Sequence, residues 1–230
     1  MENKGFLISF EGISGAGKTT LINEFKPYLE EKGFEVVLKR DLASFDDSSI
    51  GKDIKNILDN GSLDNPFFQF GYPIVETLLI LAKRAYESQK LLQPALLEGK
   101  IIVADRDIDT VCVYQAVSIL KLSPFFSALD LINIIQEIDS LSIIPPNFTF
   151  YLNVPINIAA QRKIQRDNEC FSKEQIAFLK DVKKMYRKVL KIPINNREVK
   201  TIDAKDSIQK MKNKAIFLFE KWLKHQIVYL

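Results

Sequence analysis

Eight residues near the amino end of the chain have the types and the spacing to hold a chain of phosphates. Residues 12–19 read Gly-x-x-x-x-Gly-Lys-Thr, with an apolar run before them and a helical pattern after them. The glycines let backbone amides converge on an anion, the lysine adds positive charge, and the threonine hydroxyl can bind magnesium. The segment therefore predicts a phosphate-binding loop (P-loop) for a nucleotide and Mg²⁺, formed by Gly12, Ile13, Ser14, Gly15, Ala16, Gly17, Lys18, Thr19 and Thr20.

Further charged residues follow other apolar runs, where strands of the same sheet would end. Asp105 and Arg106 come after residues 101–104, and Arg40 and Asp41 come after residues 34–38. Ligands of open α/β sheets bind at the carboxyl edge of the strands. Asp105 could bind magnesium or cap a helix. Arg106 could grip a second phosphate or form a surface ion pair with a neighbouring aspartate.

Three more arginines lie within helical patterns. Arg162 and Arg166 are four residues apart, so they share one helix face and could close over a triphosphate as a lid. A solvated basic face is the alternative. Arg84 lies in a strongly apolar helix, where its charge needs an anion to offset the cost of burial.

The elements that carry these residues alternate between strand and helix. Strands are predicted at residues 6–10, 34–38, 101–104, 148–152 and 199–202, which predicts an α/β fold with a five-stranded parallel sheet covered by helices on both faces. Helices at 73–92 and 110–120 are apolar on more than one face, so each is deeply buried or packs against another chain. Pro27 predicts a kinked or shortened first helix. An amphipathic helix is predicted at 48–60, and a buried stripe is predicted for Leu129, Ile132, Ile135 and Ile138.

The composition of the chain argues against several classes of protein. The 230 residues are 47% hydrophobic with a net charge of +3, which indicates one globular domain and gives no support for bulk electrostatic binding to nucleic acid. Two distant cysteines and one histidine support neither a disulfide framework nor a zinc site. Without a signal peptide or an apolar run long enough for a bilayer, we expect a cytoplasmic protein with no membrane partner.

The order of motifs along nearly the whole chain resembles that of thymidylate kinases. The resemblance is carried by residues 6–20, Gln93-Pro94-Ala95-Leu96 with Gly99-Lys100, Asp105-Arg106, Thr110 with Tyr114-Gln115, Tyr151-Leu152-Asn153-Val154-Pro155 and Ile202-Asp203-Ala204. It implies a three-layer P-loop fold forming one kinase domain over residues 1–230, with a small lid at about residues 160–173. It also implies transfer of phosphate from ATP with Mg²⁺ to dTMP, giving dTDP, in a homodimer.

The resemblance also implies a role for each matching residue. Lys18, Arg106, Arg162 and Arg166 would act in catalysis, Thr19 and Asp105 would serve magnesium, and Ala204 and Lys205 would lie beside adenine. The acceptor would be bound by Arg40, Asp41, Ile80, Arg84, Arg106, Thr110, Tyr114 and Gln115, with Arg84 and Gln115 facing the base and Tyr114 under the sugar.

Departures from the family pattern concern mainly the acceptor's base and sugar. Ser14 replaces an acidic residue, Ile80 replaces a stacking phenylalanine, and Asp107 replaces an aromatic residue. Residues 40–44 depart from the family's Arg-Glu-Pro-Gly-Gly, Cys170 stands where a lid arginine is expected, and Val111 alters a further thymine contact. Phosphoryl transfer is thus predicted more firmly than thymine specificity.

The sequence favours a nucleoside-monophosphate kinase acting on dTMP, with drift in base preference left open. Two alternatives remain at this point, a deoxynucleoside kinase and a nucleotide-binding protein that has lost catalysis. A regulatory GTPase is disfavoured because no Asn-Lys-x-Asp motif occurs late in the chain.

Overall fold

The computed structural model describes residues 5–39, 54, 72–123, 125–141 and 144–228. Within these residues, five parallel strands form one sheet in the order β2-β3-β1-β4-β5. The strands are β1 (Phe6–Glu11), β2 (Val36–Lys39), β3 (Ile101–Asp105), β4 (Phe148–Asn153) and β5 (Glu198–Asp203). The predicted α/β class with a five-stranded parallel sheet is confirmed.

Helices connect the strands and lie against the sheet. They are α1 (Lys18–Glu31), α2 (Pro73–Glu87), α3 (Gln93–Leu97), α4 (Ile108–Leu122), α5 (Ala128–Ser140), α6 (Ile156–Asp167), α7 (Lys173–Val189) and α8 (Ile208–Val228). The helix predicted at 73–92 is observed as α2 followed by a π-helical turn, Ser88–Leu92. No helix among the described residues is both long and apolar enough to cross a membrane.

Alternating side chains of β1 contact different helix layers, as the pleat of a strand requires. The ring of Phe10 packs on Phe25 of α1, with 5.8 Å between centroids. Its neighbour Glu11 points to the other face, where it accepts a hydrogen bond from Tyr186 of α7. Both faces of the sheet are therefore covered, and the register that pairs Phe10 with Asp105 brings the strand ends to one edge.

The structure excludes one of the two alternatives predicted for α1 and contradicts part of the stripe predicted for α5. Helix α1 continues through Pro27 to Glu31, so the proline does not shorten it; Phe25 and Leu29, on either side, are completely buried and keep the helix on the core. In α5, Leu129 and Ile138 are 55% and 39% exposed. The face that packs inward carries Leu131, Ile132, Ile135 and Asp139, a stripe rotated from the predicted one.

Three predicted features lie outside the described residues. They are Arg40, Asp41 and the helix at 48–60, of which only Ile54 is described, as a buried helical residue.

Candidate active site

The side chain of Lys18 folds back onto the backbone of the P-loop. Gly12 and Gly15 have φ values of +142° and +79°, and a Cβ on either would come within 2.7 Å of a carbonyl oxygen of β4 or α6. Only glycine satisfies both the backbone conformation and this close packing. The buried Lys18 Nζ donates to the carbonyl oxygens of Gly12 and Ile13 at 3.3 Å, so the ammonium group lies across the loop.

A hydroxyl and a carboxylate lie side by side next to the loop. Thr19 Oγ1 donates to Asp105 Oδ2 at 2.5 Å, and the buried Asp105 Oδ1 has no hydrogen-bond partner among the described residues. A hard divalent cation prefers such oxygen ligands, and magnesium usually completes its shell with water and phosphate oxygens. The pair therefore fits Mg²⁺. In the described part of the chain, no group of three His, Cys, Asp or Glu side chains is placed so that it could hold a metal ion.

Arg106, the next residue after Asp105, also contacts the P-loop. Its NH1 donates to the Gly12 carbonyl oxygen at 2.9 Å and to Thr110 Oγ1 at 3.3 Å. The guanidinium lies 5.4 Å from the centroid of the Tyr114 ring. The structure thus brings Arg106, Thr110 and Tyr114 together beside the loop. The backbone of Arg106 lies in the left-handed region, at φ 71°.

The aspartates next to Arg106 pair with other cations. Asp107 contacts Lys39 Nζ at 2.8 Å and Arg84 NH2 at 2.9 Å, and Asp109 contacts Arg197 NH1 at 2.6 Å. Burial alone would raise the pKa of Asp107, but the charges of Arg84 and Lys39 lower it well below its usual range.

Arg84 finds its anions inside the protein. Its Nε donates to Asp139 Oδ1 at 2.7 Å and its NH2 to Asp107 Oδ1 at 2.9 Å, and the side chain is almost completely buried. Burial lowers the pKa of an arginine, but the two carboxylates outweigh it and raise the pKa further above its usual value. The NH1 atom is buried and has no hydrogen-bond partner among the described residues.

Two other predicted acceptor residues have partners in the protein core. The Gln115 amide accepts from Thr77 Oγ1 at 3.0 Å and donates to Glu76 Oε1 at 3.3 Å, which ties α4 to α2. Ile80 is buried in the main hydrophobic cluster, together with Val111. The structure therefore shows Gln115 as a link between helices, and its contact with a base stays a prediction.

The predicted lid arginines have different surroundings. Arg162 donates to the carbonyl oxygens of Ala16 and Ala204, at 3.2 Å and 2.7 Å, and so bridges the P-loop to the segment after β5. Arg166 is exposed and pairs with Asp167 through two hydrogen bonds of 2.7 Å. Lys205 is also exposed and pairs with Asp203.

A cavity of about 420 Å³ lies between these elements and the P-loop. Its lining includes Gly15, Gly17, Thr20, Arg162, Arg166 and Met211. Ala204, beside Arg162, is completely buried.

Sequence reasoning missed Glu11, the carboxylate at the end of β1. It is completely buried, and it accepts hydrogen bonds from the backbone of Asp107 and from the side chains of Thr110 and Tyr186. Burial, followed by the charge of Asp109, raises its pKa to about 7. The sequence did contain a signal for it, because an acidic residue stands inside an apolar strand, immediately before Gly12.

The site combines a strand, a P-loop and a helix with an adjacent threonine–aspartate pair and a buried arginine, and these are the parts of a P-loop phosphotransferase acting on nucleotides. The thymidylate kinase family model matches residues 10–215. This chain belongs to the thymidylate kinase family.

Curated thymidylate kinases match over almost the whole length of both chains. The protein from Protochlamydia amoebophila is 32% identical over 232 residues, covering 95% of this chain and 94% of its own length. The protein from Thermoanaerobacter sp. (strain X514) is 30% identical, covering 96% and 100%, and that from Fervidobacterium nodosum is 29% identical, covering 94% and 99%.

Proposed function

We propose that this protein transfers the γ-phosphoryl group of ATP to dTMP, giving dTDP and ADP. The observation that carries the proposal is that two buried cations converge on one backbone carbonyl of the P-loop. Lys18 and Arg106 both donate to the Gly12 carbonyl oxygen, at 3.3 Å and 2.9 Å. Phosphoryl transfer needs positive charge around the donor and acceptor phosphates, and the two cations support a site of this kind.

On the donor side, the P-loop amides and Lys18 bind the β and γ phosphates. The adenine lies in the cavity beside Arg162, Ala204 and Lys205. Arg162 then stabilises the charge that develops in the transition state, and Arg166 joins it when the exposed pair with Asp167 opens. We place the lid at about residues 160–173 within one kinase domain spanning residues 1–230.

Thr19 and Asp105 hold the magnesium ion that accompanies ATP. The adjacent hydroxyl and carboxylate, with one buried carboxylate oxygen lacking a partner among the described residues, support this role. When bound, the ion neutralises phosphate charge as the bond to the leaving group breaks.

On the acceptor side, Arg106 grips the phosphate of dTMP, with Arg40 and Asp41 assigned to the same end of the site. The Tyr114 ring, in contact with the Arg106 guanidinium, lies under the sugar and excludes a ribose 2′-hydroxyl. Arg84 NH1, which is buried and has no hydrogen-bond partner among the described residues, donates to a carbonyl of the base. Thr110 positions Arg106, and Ile80 and Gln115 shape the wall behind the base.

We further propose that the protein works as a homodimer in the cytoplasm, where its nucleotide substrates occur. Helix α2 leaves three apolar side chains exposed, Ile74 at 56%, Val75 at 42% and Leu78 at 53%. An apolar face of this kind on a helix at the surface fits a second copy of the chain. Sedimentation of the wild type and of Leu78→Lys tests this, because a dimer formed through α2 should dissociate in the variant and a monomeric wild type contradicts it.

An assay of ADP release tests the proposed reaction. With ATP and Mg²⁺, we expect turnover with dTMP to exceed that with dUMP, dCMP, dGMP, dAMP, UMP and thymidine. Lys18→Ala should remove most turnover because the outer phosphates lose their cation. Lys26→Ala is the matched control, since Lys26 lies on the same helix and pairs with Glu30 at the surface. Normal turnover in Lys18→Ala, or none with any monophosphate in the wild type, contradicts the proposal.

A further inference from the structure

Glu11 connects the first strand to the turn that carries Arg106, and the mechanism above does not use it. Oε1 accepts from the backbone N–H groups of Asp107 and Thr110, at 2.7 Å and 3.3 Å. Oε2 accepts from Thr110 Oγ1 at 2.5 Å and from Tyr186 Oη at 3.1 Å. This completely buried carboxylate thus accepts four hydrogen bonds, which come from the turn after β3, from α4 and from α7.

The residue between these contacts has an unusual backbone. Arg106 lies at φ 71°, in the left-handed region that residues other than glycine seldom adopt. Such a conformation persists where surrounding contacts impose it. Its own N–H donates to the Phe10 carbonyl oxygen at 3.0 Å, while the next residue, Asp107, is held by Glu11. The turn is therefore fixed on both sides of Arg106 by consecutive residues of β1.

This turn decides where the guanidinium lies. With the backbone at φ 71°, Arg106 NH1 reaches the Gly12 carbonyl oxygen and Thr110 Oγ1. Thr110 Oγ1 is itself 2.5 Å from Glu11 Oε2. The carboxylate therefore acts on both the backbone and the side-chain partner of Arg106.

We propose that Glu11 is a positioning residue for the acceptor phosphate, acting through Arg106. The inference rests on the proposed function for the identity of the acceptor. Glu11 does not touch the acceptor itself. It sets the turn geometry that presents the guanidinium beside the P-loop, so that the acceptor phosphate binds to a preorganised cation.

Calorimetric titration of dTMP and of thymidine into the protein without ATP separates positioning from a general structural role. Glu11→Gln keeps the shape and one acceptor oxygen but puts a donor in place of the other oxygen. We expect the affinity for dTMP to fall about three- to tenfold, and the affinity for thymidine, which lacks the phosphate, to change less than about twofold. Equal losses for both ligands, or an unchanged affinity for dTMP, would overturn the proposal.

Ser9→Ala is the matched control. Ser9 lies on the same strand and the same side as Glu11, and its Oγ shares a completely buried hydrogen bond with Thr149 Oγ1 at 2.8 Å. Losing this bond removes a buried polar contact without touching the turn. We expect the dTMP affinity of Ser9→Ala to remain within about twofold of the wild type, and a loss equal to that of Glu11→Gln would attribute the effect to strand stability and overturn the proposal.

A double-mutant cycle tests whether Glu11 acts through Arg106. Arg106→Ala removes the group that Glu11 positions, so adding Glu11→Gln should weaken dTMP binding no further. Losses that multiply in the double variant contradict the inference. The cycle measures binding alone, so it is independent of turnover. A wild type that binds dTMP through Arg106 but does not phosphorylate it would refute the proposed reaction, while the positioning role of Glu11 would still stand.

Discussion

Asp107→Asn should destabilise the fold strongly, because it removes the charge shared by two buried cations. The Asp107 side chain is 1% exposed and lies 2.8 Å from Lys39 Nζ and 2.9 Å from Arg84 NH2. Without its charge, Arg84 still pairs with Asp139, whereas Lys39 keeps a hydrogen bond of 3.4 Å to the Arg106 carbonyl oxygen and loses its carboxylate. Removing one partner of a buried ion pair costs about 3–5 kcal/mol, mainly because the remaining charge stays buried. Asparagine can still cap α4 as Asp107 does at Ile108 N, so loss of the cap adds little.

Urea unfolding at pH 7, followed by circular dichroism, measures this effect. We expect the free energy of unfolding of Asp107→Asn to fall by about 3–5 kcal/mol with an unchanged denaturant slope. Asp167→Asn is the control, because it removes the same charge from an exposed pair with Arg166 and should leave stability unchanged within error. A loss below about 1 kcal/mol in Asp107→Asn would refute the reasoning that burial makes this network different from a surface pair.

The cause can be checked by removing a cation as well. Lys39→Met in the Asp107→Asn background eliminates one of the two buried charges that the first substitution leaves behind. The double variant should therefore be more stable than the sum of the two single losses predicts, by about 1–3 kcal/mol. Additive losses would mean that the two side chains contribute independently despite their 2.8 Å contact.

Three further predictions concern the metal, the sugar and pH. Thr19→Val removes the hydroxyl next to Asp105 and should raise the Mg²⁺ concentration for half-maximal rate about 10- to 100-fold, measured by titrating Mg²⁺ at fixed ATP; an unchanged requirement contradicts the assigned ligand. Tyr114→Ala opens space under the sugar and should raise kcat/KM for UMP relative to dUMP about tenfold, while unchanged discrimination would contradict its role. Because burial raises the pKa of Glu11 from 4.5 to about 7, and raises that of Asp109, the folded state binds more protons than the unfolded state in this range. The free energy of unfolding should therefore fall as pH rises from about 4.5 to about 7, and Glu11→Gln should flatten this fall in urea unfolding series; an identical slope in the variant would be inconsistent with it.

Local sequence patterns predicted most of the fold and the positions of the P-loop, Asp105 and Arg106. The apolar run, the glycine spacing and the Lys-Thr pair of residues 12–19 are continuous in sequence, and the structure forms them as a strand, a loop and a helix. Asp105 and Arg106 were predictable in the same way, since they follow a short buried strand. Parallel strands then bring these segments to one edge without further information.

The parts that could not be predicted depend on contacts between distant segments. Arg84 was expected to meet an anion, but its partner Asp139 lies 55 residues away on a helix whose inward face was wrongly assigned. Glu11 and Thr110 are 99 residues apart, and no local pattern pairs them. The stripe predicted for α5 was partly wrong because apolar residues occur around most of that helix. Packing against α4, and not periodicity, therefore selects the buried face.

The glycine at position 15 constrains how the nucleotide can be enclosed. A Cβ there would lie 2.5 Å from the Ala159 carbonyl oxygen, so the P-loop and the first turn of α6 are in direct backbone contact. We therefore expect that turn to move together with the P-loop. An enclosing movement would then bend the helix beyond Ala159, so that the outer part, which carries Arg166, moves while the first turn keeps its contact with the loop.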